Sequence, residues 1–182
     1  MQGLLKISRV IDAVNAFIGK AVIWLILGSI VISAGNATSR KLFDWSSNAW
    51  LEAQWYLFGA AFMLAAAYTL QRNEHIRIDI VSNHLPKGVR HAVELFGHVV
   101  MLLPFSALMV WETWPNMMES YSIGETSSNY GGLIVWPAKA FILAGFALLF
   151  LQGTSELIKR IAIIAGLIPD PHEAQHAPLP VE

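Results

Sequence analysis

Residues Trp50 to Asp79 read W-L-E-A-Q-W-Y-L-F-G-A-A-F-M-L-A-A-A-Y-T-L-Q-R-N-E-H-I-R-I-D. An aromatic and acidic start leads into a charge-free run from Ala53 to Gln71 rich in small residues (Gly59, Ala60, Ala61, Ala65, Ala66, Ala67), and a basic stretch follows at once. About 20 apolar residues as a helix cross a bilayer, so this stretch is one membrane crossing with both ends marked.

Composition extends that reading to the whole chain. Of 182 residues 55% are hydrophobic and 14% charged, against about 25% charged in a soluble domain. A net charge of −1 and the absence of any Lys/Arg-rich run argue against nucleic acid as a partner, because phosphate binding needs a basic patch. The chain has no cysteine. Disulfides, thiolate chemistry and Cys-ligated metals are thereby excluded, and with them the four-crossing membrane disulfide oxidoreductases.

Working outward, a second charge-free run lies at 21–39, a third crossing is expected at about 92–111 and a fourth at about 134–157. Small residues at Ser33-Ala34-Gly35-Asn36-Ala37 raise the alternative of a cleaved signal peptide. The long amphipathic lead of residues 1–20 argues against it: Leu4, Ile7, Ile11, Val14 and Ile18 recur at helical spacing, with Lys6, Arg9, Asp12, Asn15 and Lys20 elsewhere. That pattern predicts an amphipathic helix lying in the membrane interface, apolar stripe down, with a simple cytosolic extension of the first crossing as the alternative. Pro86 suits the start of the third helix and Pro104 a kink within it. The Pro-rich segment 169–182 is expected to be a disordered tail. The fold expected is therefore an all-α membrane protein with an interfacial helix at 1–20 and a four-helix transmembrane domain at 21–168.

Orientation follows from the basic residues. With the N-terminus inside, Lys6, Arg9, Lys20, Arg72, Arg77, Lys87, Arg90, Lys159 and Arg160 are cytoplasmic, while Arg40, Lys41 and Lys139 are external. The positive-inside rule thus places both termini in the cytoplasm. Trp45, Trp50, Trp55, Trp111, Trp114 and Trp136 all fall at or just beyond the ends this topology makes external, as an interfacial aromatic belt requires.

Ionisable groups within a crossing mark ion or proton pathways, and the crossings are nearly free of them. His91, Glu94 and His98 share one helix face in the third. A metal or proton role competes there with a plain polar face against a partner or headgroups, and three groups along one straight helix do not enclose an ion. Haem ligation across a bundle would need a second mid-membrane His. No catalytic residue, substrate-binding residue, metal or cofactor is expected. Glu52 and Gln54 are read either as polar groups at headgroup level or as contacts to another subunit, and Glu112 and Lys139 as a possible external pair. In the inner loop His75, Arg77 and Asp79 alternate with Ile76, Ile78 and Ile80. A positive-inside loop explains Arg72 and Arg77, but the isoleucines ask for a buried surface. Small residues at heptad spacing, such as Gly28 and Gly35, permit close helix approach within the bundle or with a partner.

These residues carry a resemblance. The stretch from Glu52 to Asp79, with Arg72, His75, Arg77 and Asp79 as its most specific part, resembles the signature of the small membrane subunit (DctQ type) of tripartite ATP-independent periplasmic (TRAP) transporters. The later S-S-N-Y-G-G-L-I-V-W-P-A-K-A-F-I-L-A-G-F-A-L-L-F-L-Q-G is similar to the subgroup linked to keto acid, monocarboxylate or mannitol/chloroaromatic compounds. The resemblance implies a non-catalytic scaffold in the bacterial inner membrane that braces a large permease subunit (DctM type). That large subunit holds the sodium and substrate sites, and a periplasmic binding protein delivers the solute. The competing reading is a self-sufficient four-helix channel, a small transporter or a haem anchor.

Overall fold

The computed structural model describes residues 2–72 and 86–169. Its elements are α1 (Gln2–Phe43), α2 (Asn48–Gln71), α3 (Lys87–Phe96), a π-helical turn (Gly97–Leu102), α4 (Leu103–Ser122) and α5 (Trp136–Ile164). Four helical rods are long and apolar enough to cross a membrane, with α3, the π turn and α4 forming the third. The only strand-like pairing among the described residues is a bridge between Thr126 and Ile134.

α1 runs for 42 residues without interruption, about 63 Å at 1.5 Å per residue. There is no break near residue 20, so the amphipathic lead and the first crossing are a single helix. Its end is marked by Arg40 and Lys41 in the last turn, where cations complement the helix dipole. Asp44 follows with a positive φ of 50°, which a short polar side chain tolerates better than a branched one.

The face that α1 buries is not its apolar stripe. Its buried residues are Ser8, Asn15, Val22, Ser29 and Asn36, one every seven positions, while Leu4, Ile7, Val10, Val14 and Phe17 are exposed. In lipid, large apolar side chains gain nothing by facing inward, and small or polar residues make the helix contacts. The same rule explains α2, whose buried residues are Glu52, Ala60, Ala61 and Ala67.

α5 is the hub. α2 lies against both α1 and α5, α1 also touches α5, and the third rod packs chiefly on α5. Glycines set the closest approaches. A Cβ on Gly145 would stand 2.7 Å from Met63 Cβ and 2.8 Å from its carbonyl oxygen, and one on Gly19 would stand 2.3 Å from the Tyr68 ring. Gly28 and Gly35 face Leu57 and Trp50, so the heptad glycines serve packing within the chain.

The kink expected at Pro104 takes the form of the π turn just before it. Proline has no N–H for the helix ladder and its ring crowds the preceding turn, and widening the ladder relieves both. Ser106, buried, donates its hydroxyl to the carbonyls of Leu102 (2.7 Å) and Leu103 (3.2 Å), satisfying acceptors that lipid could not. Pro86 caps the start of α3, as expected. The third rod extends to Ser122, well beyond the Trp111 end inferred from apolarity, and accommodates Pro115 without ending.

Candidate functional site: two polar locks at the ends of the bundle

Glu52 lies in the first turns of α2 and is only 4% exposed. The α4–α5 loop closes over it. Asn129 Nδ2 donates to Oε1 at 2.8 Å, the Leu133 backbone N–H donates to Oε2 at 2.6 Å, and the Ser127 hydroxyl also donates to Oε1. Three donors on one carboxylate repay the cost of taking it from water. A side chain at Gly132 would collide with both carboxylate oxygens, at 2.8 and 2.9 Å, so glycine is what allows the loop to sit this close. Asn48 Nδ2 holds the Tyr130 carbonyl at 2.9 Å, and Ser127 N–H and Val135 N–H close the loop on Leu133 and Glu125 carbonyls.

Lys139 completes this loop lock with Glu125 at 2.6 Å, not with Glu112. The Lys139 hydrogen bond and charge hold the Glu125 carboxyl below the usual value of 4.5. Glu125 lies in the loop, one helical start from Lys139, whereas Glu112 is exposed in α4.

At the other end, α1 and α5 are joined by a polar network. Gln152, with no exposed surface, is its centre. Its Nε2 donates to Asp12 Oδ1 and to Glu156 Oε1, both at 2.8 Å, and its Oε1 accepts from Asn15 Nδ2 at 2.7 Å. The two carboxylates only accept, so they fix which way the amide points, and that in turn fixes Asn15. Lys159 Nζ approaches Asp12 Oδ2 at 3.1 Å and also pairs with Glu156. Ser155 donates to Asp12 Oδ1 at 3.0 Å and shares a 2.7 Å hydrogen bond with Ser8. α2 joins through Gln71 Nε2, which donates to the Asp12 carbonyl at 3.1 Å.

The third rod is tied to the same end. Glu94 Oε2 and Arg160 Nη2 stand 2.5 Å apart, each side chain 13% exposed. His98 Nδ1 lies 2.8 Å from the Glu94 carbonyl, which is an acceptor and so requires the proton on Nδ1.

The residues singled out in the sequence thus distribute as follows. Glu52 is spent on the chain's own loop, and Glu94 on α5. Gln54 is half-buried, and its backbone carbonyl accepts from Ser29 at 3.1 Å. Arg72 caps the C-terminus of α2 and is exposed. His91 belongs to α3 by its backbone, with its side chain outside the described residues, as are His75, Arg77 and Asp79 and the tail beyond Pro169. Of the tryptophans, Trp45, Trp50, Trp55, Trp111 and Trp114 are exposed and Trp136 is half-buried. Trp45 meets Trp50 edge-on at 6.0 Å and Trp136 meets Tyr121 at 5.4 Å. Asp12, Gln152, Ser155, Glu156 and Lys159 were not anticipated as a set. Their signal was the recurrence of small and polar residues every seven positions along α1, flanking its apolar stripe.

Among the described residues no three His, Asp or Glu side chains converge as a metal site. The two locks can do one thing chemically: hold helix ends and a loop in fixed register. No curated protein matches the sequence. Residues 29–162 match the family of tripartite ATP-independent periplasmic transporters, DctQ component, and the chain, with its four membrane-capable helices, belongs to that family.

Proposed function

We propose that this chain is the small permease subunit of its transporter, a non-catalytic brace for the large permease subunit during sodium-driven, binding-protein-dependent uptake of an organic acid or similar solute. The observation that carries this reading is how the carboxylates at the crossing ends are used. Glu52, Glu94 and Asp12 are all engaged by the chain's own loop and helices, which is the arrangement of a part that must keep its shape. A coupling carboxylate has to be available to an ion or proton.

The bundle sits in the inner membrane with both termini cytoplasmic, following the distribution of basic residues. The inner loop with His75, Arg77 and Asp79, together with Arg72, His91 and His98, contacts the large subunit or headgroups, and the aromatic belt sits at the outer interface. The solute belongs to the keto acid, monocarboxylate or mannitol/chloroaromatic class. Affinity purification of the tagged chain from its native membrane tests the assignment. A large membrane protein should accompany it in stoichiometric amount, and recovery of a coloured haem protein or a pure homo-oligomer would overturn the reading.

A further inference from the structure

We infer that the bundle sits obliquely in the bilayer, tilted by roughly 30–40° toward the steep end of the range for membrane helices, so that its lipid-contacting band climbs from one side of the molecule to the other. The inference rests on the reading that all four rods cross the membrane, and two independent markers carry it.

The first marker is charge. The charge-free run of α1 lies between Lys20 and Arg40, that of α2 between Glu52 and Arg72, that of α5 between Lys139 and Glu156, and that of the third rod between Glu94 and Glu112. Side-chain contacts fix how these runs stand beside one another. Gly19 meets Tyr68 and Gly28 meets Leu57, so Trp24 on α1 stands near Phe62 on α2. Gly145 meets Met63, which brings the middle of α5 to the same level. Phe105 meets Phe146 and Tyr121 meets Trp136 edge-on, so Trp111 and Glu112, which lie between them, face that same part of α5. Glu112, the outer boundary of the third rod, is therefore level with the middle of the α2 run and with Trp24, four residues past Lys20, in the α1 run.

The inner boundaries are displaced in the same sense. Asp12 pairs with Lys159, and the adjacent Arg160 pairs with Glu94. Lys20 stands two helical turns farther along α1 than Asp12, about 12 Å. Going from α1 through α2 and α5 to α4, each run starts and ends nearer the inner side.

The second marker is tryptophan. Trp111 is 77% exposed and Trp24 71% exposed, at one level of the bundle. In an upright bundle Trp111 and the exposed Glu112 would face lipid at mid-depth, although interfacial Trp and charged side chains belong at the boundary. In the oblique seat Trp111, Trp114, Trp55 and Trp136 all meet the outer boundary, and Trp24 approaches the inner one. The runs are short for a steep tilt, since about 20 residues span an untilted core. The bilayer must therefore thin around the protein while Lys20, Arg40 and Arg72 reach toward headgroups.

The chain has no cysteine of its own, which permits a direct test in the native membrane with the rest of the transporter present. Trp24→Cys, Phe62→Cys and Trp111→Cys replace exposed residues at one level and are probed with a membrane-impermeant maleimide from each side. The oblique seat predicts labelling of Trp111→Cys from outside, of Trp24→Cys from inside, and of Phe62→Cys from neither. Equal protection of all three would overturn it. Labelling with the sides exchanged would keep the tilt and overturn the proposed orientation instead. Ile30→Cys, Trp55→Cys and Glu119→Cys form a second exposed set one level farther out, for use if a member of the first fails to insert. There the expected order is protected, boundary and fully labelled, and equal labelling of the three would overturn the tilt.

Discussion

The two ends of the bundle are held by opposite designs. At the end closed by the α4–α5 loop a single buried carboxylate, Glu52, gathers donors from Ser127, Asn129 and Leu133, so that one side chain of α2 holds a whole loop. At the other end Asp12, Asn15, Gln152, Ser155, Glu156 and Lys159 share the task, and all but Asn15, which is held by Gln152, keep a second partner if one is lost. A concentrated lock should fail when one residue is removed. A distributed one should weaken by steps.

The largest effect is expected from Glu52→Leu. It strands three donors, including the Leu133 backbone N–H, and unsatisfied buried donors are costly. Hydrogen exchange across residues 126–134 should accelerate by about tenfold or more, with α1 unaffected. Unchanged exchange in the loop would show that Glu52 is not its anchor. Next is Gln152→Leu, which leaves Asn15 Nδ2 without its acceptor and Asp12 with fewer donors. A loss of about 1–3 kcal/mol is expected in thermal unfolding followed by circular dichroism. Ser8→Ala removes one hydroxyl whose partner Ser155 keeps Asp12, so its cost should stay within about 1 kcal/mol. If Ser8→Ala cost as much as Gln152→Leu, this network would not be distributed.

The smallest effect concerns pH and distinguishes the two parts of the loop lock. The folded carboxyl of Glu125 is held below 4.5, chiefly by Lys139. Its contribution is therefore complete above about pH 4.5 and is lost as pH falls through the lowered folded value. Mild acid should loosen residues 120–126 in exchange measurements, and Lys139→Met should weaken that dependence, leaving the smaller part that comes from Ser120. A pair this exposed contributes little in total.

Much of this architecture was legible in the sequence, because bilayer thickness and charge cost are severe constraints. Three charge-free runs and the apolar stretch around His98 gave four crossings, and Pro86 gave the start of the third. What escaped has a common cause. Apolarity marks where lipid is, not where a helix ends, so the extension of α4 to Ser122 was invisible, and the continuity of α1 through residue 20 was only the second of two readings. The stripe of Leu4, Ile7 and Val14 drew attention as the face turned to the membrane, and the seam beside it went unread. In this bundle the buried seam runs through Ser8, Asn15, Ser29 and Asn36, and that heptad of small and polar residues was present to be read. The partners of Glu52 lie far away in sequence on a loop of ordinary Ser, Asn and Gly residues, and only folding brings them together.

Reconstitution into liposomes tests the account most directly, with uptake of a candidate organic acid measured under a sodium gradient for this chain alone, the large subunit alone and both together, binding protein present throughout. A brace predicts no uptake by this chain alone and uptake restored when it joins the large subunit. Sodium-driven uptake by this chain alone would contradict the account.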